Sequence, residues 1–400
     1  MNRTVQYLQT ASGEKEPEIS TLVNCVVLDA IEAGASDIHI EAWVDSVAIR
    51  VRLNGVLTEL AHLPPHLLER IALRLKVMAD LVSYQGDLPQ EGHVKSDPLF
   101  GGVELRVSFF PSVRGGKIVI RLFDPSTRSF ELGALGLAED VYERFTTLLA
   151  RPSGLILFTG PTGSGKTTMM YSALMHIVQR AGPAVSVSTV EDPVEFLLPL
   201  ISQSQINPLK DFTYPVALRS LLRQDPQVIL LGEIRDPETA AIALRAGLTG
   251  HLVISTIHSG SSPGVFARLM NMDLEPFLLA SSVIGVMGLR LVRINCDACA
   301  QPYPPEPRAL RFVPAEAIEA AYFRRGTGCA QCRQTGFSGR AALAELLVVD
   351  DVFRDALLQK LPTRALQDVA TQQGMQTLWQ AGLRRALAGH TPLEEILRVV

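Results

Sequence analysis

No stretch of the sequence approaches the ~18–20 unbroken apolar residues that a bilayer-spanning helix needs. Candidate runs such as Val228–Leu231 and His251–Ile257 are only strand-length. The opening stretch, Met1–Pro17, is polar and lacks the apolar core of a secretory signal, so the chain is expected to be made and kept in the cytosol. There is no surplus of positive charge. Lys and Arg total 37 against 41 Asp and Glu, a net charge of −4. That balance argues against a general nucleic-acid coat and leaves room only for a local basic pore. Cysteine is scarce and odd in number, at five residues, and four of them form two C-x-x-C pairs. In a reducing compartment that usage reads as metal ligation and not as disulfides. Internal repeats and low-complexity tracts are absent.

What is present bounds the architecture. A length of 400 residues suggests two to three domains, at roughly 150 residues each. A chain that is 47% hydrophobic and 20% charged can bury sizeable cores and is not disordered. Residues 1–18 read as a flexible leader. Residues 19–123 mix helix and strand, as an α+β domain does. Ser20 offers an N-cap, and Leu22, Cys25, Val26, Leu28 and Ile31 make one helical face ending at Gly34. Cys25 on that face reads as a small core residue. Asp37–Glu41 and Val47–Leu53 alternate as strands before a turn at Asn54-Gly55. Leu67–Ala79 reads as a helix, and Val103–Phe109 and Lys117–Phe123 as strands. Residues 124–137, with Asp124-Pro125, Gly133 and Gly136, are expected to be a linker. From 138 to 295 strands and helices alternate. The short apolar runs Leu155–Thr159, Ala184–Val190, Val228–Leu231 and Leu252–Thr256 are what buried parallel strands look like. A cysteine element follows at 296–340, containing the cluster Pro302–Pro307, and then a tail at 341–400 that reads as helical.

The clearest chemistry lies between the first of those parallel strands and the next helix. Gly160-Pro161-Thr162-Gly163-Ser164-Gly165-Lys166-Thr167, with Thr168 beside it, fits G-x-x-x-x-G-K-[ST] between a strand and a helix at Thr167–Val178. Glycines let backbone N–H groups curl around phosphate oxygens. Lys166 brings a point charge to the β- and γ-phosphates, Thr167 offers its hydroxyl to Mg²⁺, and the helix start adds partial positive charge. ATP with Mg²⁺ is the expected ligand. A second strand ends in Glu191-Asp192-Pro193-Val194-Glu195, three carboxylates at the end of the sheet where α/β folds present ligands. A third, Val228–Leu231, runs into Gly232-Glu233, where Gly232 occupies the place of the usual metal-holding Asp. Glu233 is a candidate to orient or deprotonate the attacking water, with a salt bridge to Arg235 as the plainer alternative. The fourth strand is flanked by His251 and His258. A histidine after such a strand can sense the γ-phosphate.

Cys296-x-x-Cys299 and Cys329-x-x-Cys332 are separated by 29 residues. Two such knuckles supply four thiolates to a tetrahedral Zn²⁺ site. A closed Cys₄ site has no open position, so its role is expected to be structural. Gly328, Gly336 and Gly339 allow tight turns around the second knuckle.

Together these motifs make the chain similar to the type II secretion and type IV pilus assembly ATPases, from about Leu22 to Val400. The resemblance rests on the phosphate loop, on Glu191–Glu195, and on Leu221-Leu-Arg-Gln-Asp-Pro226. It rests equally on Gly232-Glu-Ile-Arg-Asp236 and on Thr249-Gly-His-Leu-Val-Ile-Ser-Thr-Ile-His258. In the first domain it rests on Ala35-Ser-Asp-Ile-His-Ile-Glu41, Lys76-Val-Met-Ala79, Pro89-Gln-Glu-Gly92 and Arg106-Val-Ser108. It implies a PAS-like first domain, a RecA-like P-loop ATPase domain, a zinc-binding insert and a helical C-terminal subdomain. It also implies a homohexameric motor at the cytoplasmic face of the inner membrane, with ATP bound between the two larger domains. Arginines of the first domain reach the phosphates in that family, a role that falls on Arg106 and Arg121, with Arg52 a weaker candidate. The implied partner is a polytopic membrane platform protein that adds pilin-like subunits to a filament, and no nucleic acid is expected. The cysteine element marks the assembly motors. Many members carry a further N-terminal domain that docks a membrane partner, whereas only residues 1–18 precede the first domain here. The chain departs from the family at Asn54-Gly55, His93, Lys117 and Ile257-His258-Ser259, none of which touches the phosphate loop or Glu233. The rival readings are a nucleic-acid translocase with a zinc ribbon and an ATP-gated scaffold without catalysis.

Overall fold

The computed structural model describes residues 3–11, 16–84, 86–95, 97–124, 130–319 and 321–400. The chain forms two compact units, Met1–Ser129 and Phe130–Val400.

The first unit runs α1 (Arg3–Ala11), α2 (Ile19–Glu32), β1 (Asp37–Ala42), β2 (Val47–Leu53), β3 (Val56–Leu63), α3 (Leu67–Met78), β4 (Gln90–Val94), β5 (Glu104–Ser112) and β6 (Gly115–Phe123). Its six strands make one antiparallel sheet in the order β3-β2-β1-β6-β5-β4. The β2–β3 hairpin turns on Asn54 and Gly55, both with positive φ (48° and 85°). Such a turn matches the right-handed strand twist and favours Asn-Gly. Alternation assigns the faces. Ile38, Ile40, Ile49, Val51, Leu105, Val107, Ile118 and Ile120 point into one core with Leu22, Val26, Leu67 and Ile71 of the two helices. The burial stripe of α2 also takes in Val23, Val27 and Ala30, which leaves Cys25, Leu28 and Ile31 on its half-buried flank.

The expectation of a flexible leader over 1–18 is corrected where the structure describes it; residues 1–2 and 12–15 lie outside. Arg3–Ala11 is a helix. Its first amides, of Arg3 and Thr4, donate to the carboxylate of Asp29 at 3.2 and 2.9 Å. Asp29 is fully buried on α2 and serves as a remote cap, while Tyr7 and Leu8 pack on the core. A cap supplied from another helix satisfies the orphan N–H groups as a local one does, and leaves no signal in the segment it caps.

The second unit begins with residues 130–137, which were grouped with the linker; 125–129 lie outside the described residues. Leu132 is buried, and the Phe130 ring stands edge-on to Tyr171 and Phe196 at 5.4 and 5.7 Å. Then come α4 (Glu139–Leu149), β7 (Gly154–Thr159), α5 (Lys166–Ala181), β8 (Val187–Glu191), β9 (Ser202–Gln205), α6 (Tyr214–Leu221), β10 (Val228–Leu231), α7 (Pro237–Leu248), β11 (Leu252–Thr256), α8 (Gly264–Met270), α9 (Pro276–Ser282) and β12 (Val283–Asn295). The cysteine element carries β13 (Ala300–Pro302), α10 (Pro307–Leu310), α11 (Ala315–Glu319) and β14 (Arg324–Gly326). The chain continues through β15 (Phe337–Val348), α12 (Asp351–Leu358), α13 (Thr363–Gln372), α14 (Leu378–Leu387) and α15 (Leu393–Val399).

Seven strands form the sheet β15-β12-β7-β11-β10-β8-β9, parallel except for β15, which runs antiparallel to β12. Both faces are covered, so β7 sends Leu155 and Leu157 into one core and Ile156 and Phe158 into the other. The tail over 341–400 therefore does not begin as helix. Ala341–Val348 completes β15, because pairing along β12 and burial of Ala342, Leu343, Leu346 and Leu347 override the helix preference of Ala, Leu and Glu.

Candidate functional site

Four parallel strands deliver their carboxyl ends to one edge of the second unit's sheet. β7 leads into the loop 160–165, and α5 starts at Lys166. Gly160, Gly163 and Gly165 all have positive φ, at 146°, 76° and 92°, conformations that side-chain-bearing residues rarely adopt. At Gly160 a Cβ would lie 2.5 Å from the Leu289 carbonyl oxygen and 2.7 Å from Ser164 Oγ. At Gly163 the same position is open space, and Ser164 Oγ is buried with no hydrogen-bond partner. Lys166 Nζ folds back to donate to the carbonyls of Gly160 and Pro161 at 2.8 and 2.9 Å. Burial holds its ammonium below the ordinary lysine range; Arg290 adds to that effect and Glu233 opposes it. Thr167 and Thr168 stand half-buried in the first turn of α5, and Pro161 and Thr162 are exposed on the loop. An unpartnered hydroxyl, an open glycine corner and a helix start suit a magnesium-bound triphosphate.

Glu233 follows β10 and is mostly buried, with its carboxylate paired to Arg235. His258 Nε2 lies 4.0 Å from its other oxygen, and the imidazole is 60% exposed. The segment carrying His258 is fixed to the phosphate-loop strand by reciprocal bonds. Thr159 Oγ1 donates to the Ser259 carbonyl at 3.0 Å and accepts the Ser259 amide at 2.9 Å. The Thr256 hydroxyl donates to the Gly232 carbonyl at 2.9 Å, which holds the turn before Glu233. Phosphate loop, Glu233 and His258 are thus gathered by direct contacts between neighbouring strand ends.

The three carboxylates after β8 part company. Glu191 is 4% exposed. It accepts from the hydroxyls of Tyr171 and Thr189 and from Gln203 Nε2 at 3.2 Å. Burial and then the bond to Glu191 push the Tyr171 hydroxyl well above its usual pKa. Asp192 is exposed, and its charge is felt at Tyr214 and Arg235. Glu195 is half-buried, its amide donating to Tyr171 Oη at 3.3 Å. His251 sits at the opposite end of β11, where its ring nitrogen meets the Ala246 carbonyl at 3.2 Å.

In the first unit, Arg52, Arg106 and Arg121 share the sheet face opposite its core. Arg52 and Arg121 approach Asp37 at 3.5 and 3.3 Å, and Arg106 lies 4.4 Å over the Phe123 ring. Burial, followed by the Arg52 charge, holds His39 on the same face below the ordinary imidazole range. Lys117 pairs with Glu41 at 2.7 Å.

The four cysteine sulfurs lie within 4.8 Å of one another, with separations of 3.9 Å (Cys296–Cys329), 3.8 Å (Cys299–Cys332) and 3.7 Å (Cys329–Cys332). Four sulfurs at ~2.3 Å from a central Zn²⁺ stand ~3.8 Å apart at the edges of a tetrahedron. The donor set therefore fits zinc. The amides of Cys329 and Gly336 both donate to Cys332 Sγ at 3.2 Å. Burial opposes ionisation of that thiol, but the bonds it receives outweigh it and bring its pKa down. Behind the knuckle Gly326 meets Gly336; a Cβ on Gly326 would fall 1.9 Å from the Gly336 carbonyl oxygen.

Sequence motifs did not reveal Tyr171, Thr159, Tyr214 or Arg290. The first two act through contacts 20 and 100 residues away in the chain, which no local pattern records.

A glycine-rich loop between strand and helix, with an acid closing a nearby parallel strand, defines a P-loop nucleoside triphosphatase. The chain belongs to the type II/IV secretion system protein family, which matches residues 12–398. It is 42% identical over 384 residues to the type IV pilus assembly ATPase PilB of Thermus thermophilus, covering 96% of this chain and 43% of that protein. It is 39% identical over 387 residues to the type II secretion system ATPase E of Vibrio cholerae, covering 97% and 76%. The chain thus spans less than half the length of the Thermus relative. Among solved structures, the pilus retraction motor PilT with bound ADP superposes with a TM-score of 0.63 at 25% identity, over 94% of this chain and 96% of that one. The Legionella pneumophila ATPase DotB shares the fold at a TM-score of 0.69 and 19% identity, over 94% of each chain.

Proposed function

We propose that this chain is an ATP-driven motor that powers assembly of pilin-like subunits in type II secretion or type IV pilus extension. The reading is carried by one observation, the phosphate loop opening onto Glu233 across the contacts between β7, β11 and β10. Bound Mg²⁺ would neutralise phosphate charge, with Thr167 as its protein ligand. Lys166 leaves the loop carbonyls to meet the β- and γ-phosphates. Glu233 orients the attacking water and accepts its proton, and Arg235 releases it to do so. His258, close to Glu233, reports the γ-phosphate. Asp192 and Glu195 remain candidates for the magnesium hydration shell, whereas the buried bonds of Glu191 favour a supporting role. Arg106 and Arg121 contribute guanidinium charge during turnover.

The cysteine tetrad is proposed to hold a structural Zn²⁺. A homohexamer working with a polytopic platform protein at the cytoplasmic face of the inner membrane completes the reading. Among the described residues no helix is long and apolar enough to cross a membrane. The names of the Thermus and Vibrio relatives support the two machines alike, and neighbouring genes separate them: pseudopilins with an outer-membrane pore, or pilins alone. The decisive measurement is phosphate release by the purified chain. Lys166→Ala should abolish it; a Lys166→Ala protein that turns over at the wild-type rate would falsify the mechanism.

A further inference from the structure

Lys166 is not the only cation at the phosphate loop. Arg290, on β12, donates from Nη1 to the Leu289 carbonyl at 3.0 Å and from Nε to the Val399 carbonyl at 3.1 Å. That Leu289 carbonyl is the group against which Gly160 packs, and Arg290 Nη1 itself lies 3.3 Å from where a Gly160 Cβ would be. The Gly160 carbonyl in turn accepts from Lys166. The two cations therefore flank the first glycine of the loop, Lys166 from the helix side and Arg290 from the strand side. Leu291 meets the far end of the loop, 3.5 Å from a Cβ on Gly165. β12 thus underlies both ends of the cradle.

The other contact of Arg290 leads away from the site. Val399 closes α15, and α15 is held to β12 a second time by Glu395, which accepts the Arg293 amide at 3.1 Å and its guanidinium at 2.6 Å. Among the described residues no carboxylate pairs with Arg290. Its positive charge rests on two neutral carbonyls, although a guanidinium carries five donors suited to anionic oxygens.

We propose that Arg290 is a further phosphate ligand of the loop, and that on nucleotide binding it gives up the Val399 carbonyl and loosens α15. This rests on the ATPase reading above. Charge-assisted bonds to phosphate are roughly twice as strong as bonds to a neutral carbonyl, so an arriving polyphosphate draws the guanidinium toward the loop. α15 then keeps the Glu395 attachment and loses the one at its last turn. Occupancy of the cradle becomes readable at a helix that contributes no group to it.

The test uses the full chain with Mg·ADP and a non-hydrolysable ATP analogue, comparing wild type, Arg290→Ala and Arg290→Lys. Titration should show Arg290→Ala binding both nucleotides roughly tenfold more weakly, with Arg290→Lys recovering part of the loss. Hydrogen exchange over 393–400 should speed up when wild type binds nucleotide. In Arg290→Ala it should be fast from the start and unresponsive. If Arg290→Ala does not fold, as its Tm would reveal, Arg290→Lys carries the comparison, since a lysine cannot span both carbonyls. Wild-type affinity in the variants, or α15 exchange that ignores nucleotide in wild type, overturns the assignment and leaves the ATPase reading standing. A wild-type chain that binds neither nucleotide overturns both.

Discussion

Glu191 and Glu233 end adjacent strands, β8 and β10, in opposite surroundings. Three donors already surround Glu191 in the interior, so a metal or water reaches it only by breaking bonds that stabilise the fold. Glu233 has one arginine and a histidine at 4.0 Å, partners that can be exchanged. Glu191→Gln is therefore expected to lower stability by about 1–3 kcal/mol, the cost of disturbing a buried bonded group, while nucleotide affinity holds. Glu233→Gln should keep Tm and lose turnover by roughly 10²–10⁴. Denaturant melts and phosphate release on the same two proteins check the contrast. The spacing of Glu191, Asp192 and Glu195 did not foretell this split, since the tyrosine that claims Glu191 is on α5, 20 residues earlier in the chain. The phosphate loop was legible in full, because its constraint is local: three glycines with positive φ in six residues. Glu395, buried on α15, responds to pH. Burial alone would raise the pKa of Glu395, but Arg398 and Arg293 outweigh it and bring it down from 4.5 to about 2. Its stabilisation is complete above the unfolded value of 4.5 and disappears as pH falls toward 2, on the order of 3 kcal/mol in all. Acid unfolding of Glu395→Gln should lack that component.

Elements buried on both faces announced themselves best. β10 and β11 begin and end where the short apolar runs do, since a parallel strand covered by helices has no polar face. β15 was missed for the complementary reason: its Ala, Leu and Glu residues favour helix, and only pairing with β12 makes them extended. α1 was missed because its cap, Asp29, belongs to α2. At this scale the cysteine element makes a sharp prediction. Its own two strands are three residues each, too short to hold a fold without help. Prolonged chelation should release about one zinc per chain and lower Tm, while far-ultraviolet circular dichroism of the remaining helices persists. Retention of Tm after complete metal loss would show that apolar packing around Leu343, Leu378 and Leu393 suffices.

Each unit of the molecule has a core of its own, the first around Ile38, Ile49 and Ile120 and the second in two layers on either side of β7. A fragment over residues 130–400 should therefore fold cooperatively, with a single calorimetric transition and retained nucleotide binding. Failure to fold would mean that the second unit depends on the first. Length, composition and the absence of long apolar runs made the multi-domain α/β character legible. What they could not convey is that the cysteine element and the final helices are mounted on the same sheet as the phosphate loop. β12 pairs with β7 over its first half and with β15 along nearly its whole length, reaching Asn295 beside the first cysteine knuckle. That ribbon is continuous along β12 except for a break in register at Ile294/Asn295, next to the knuckle. A small tilt at the nucleotide edge would be carried along β12 toward the cysteine knuckle, as an oar carries the movement of its handle.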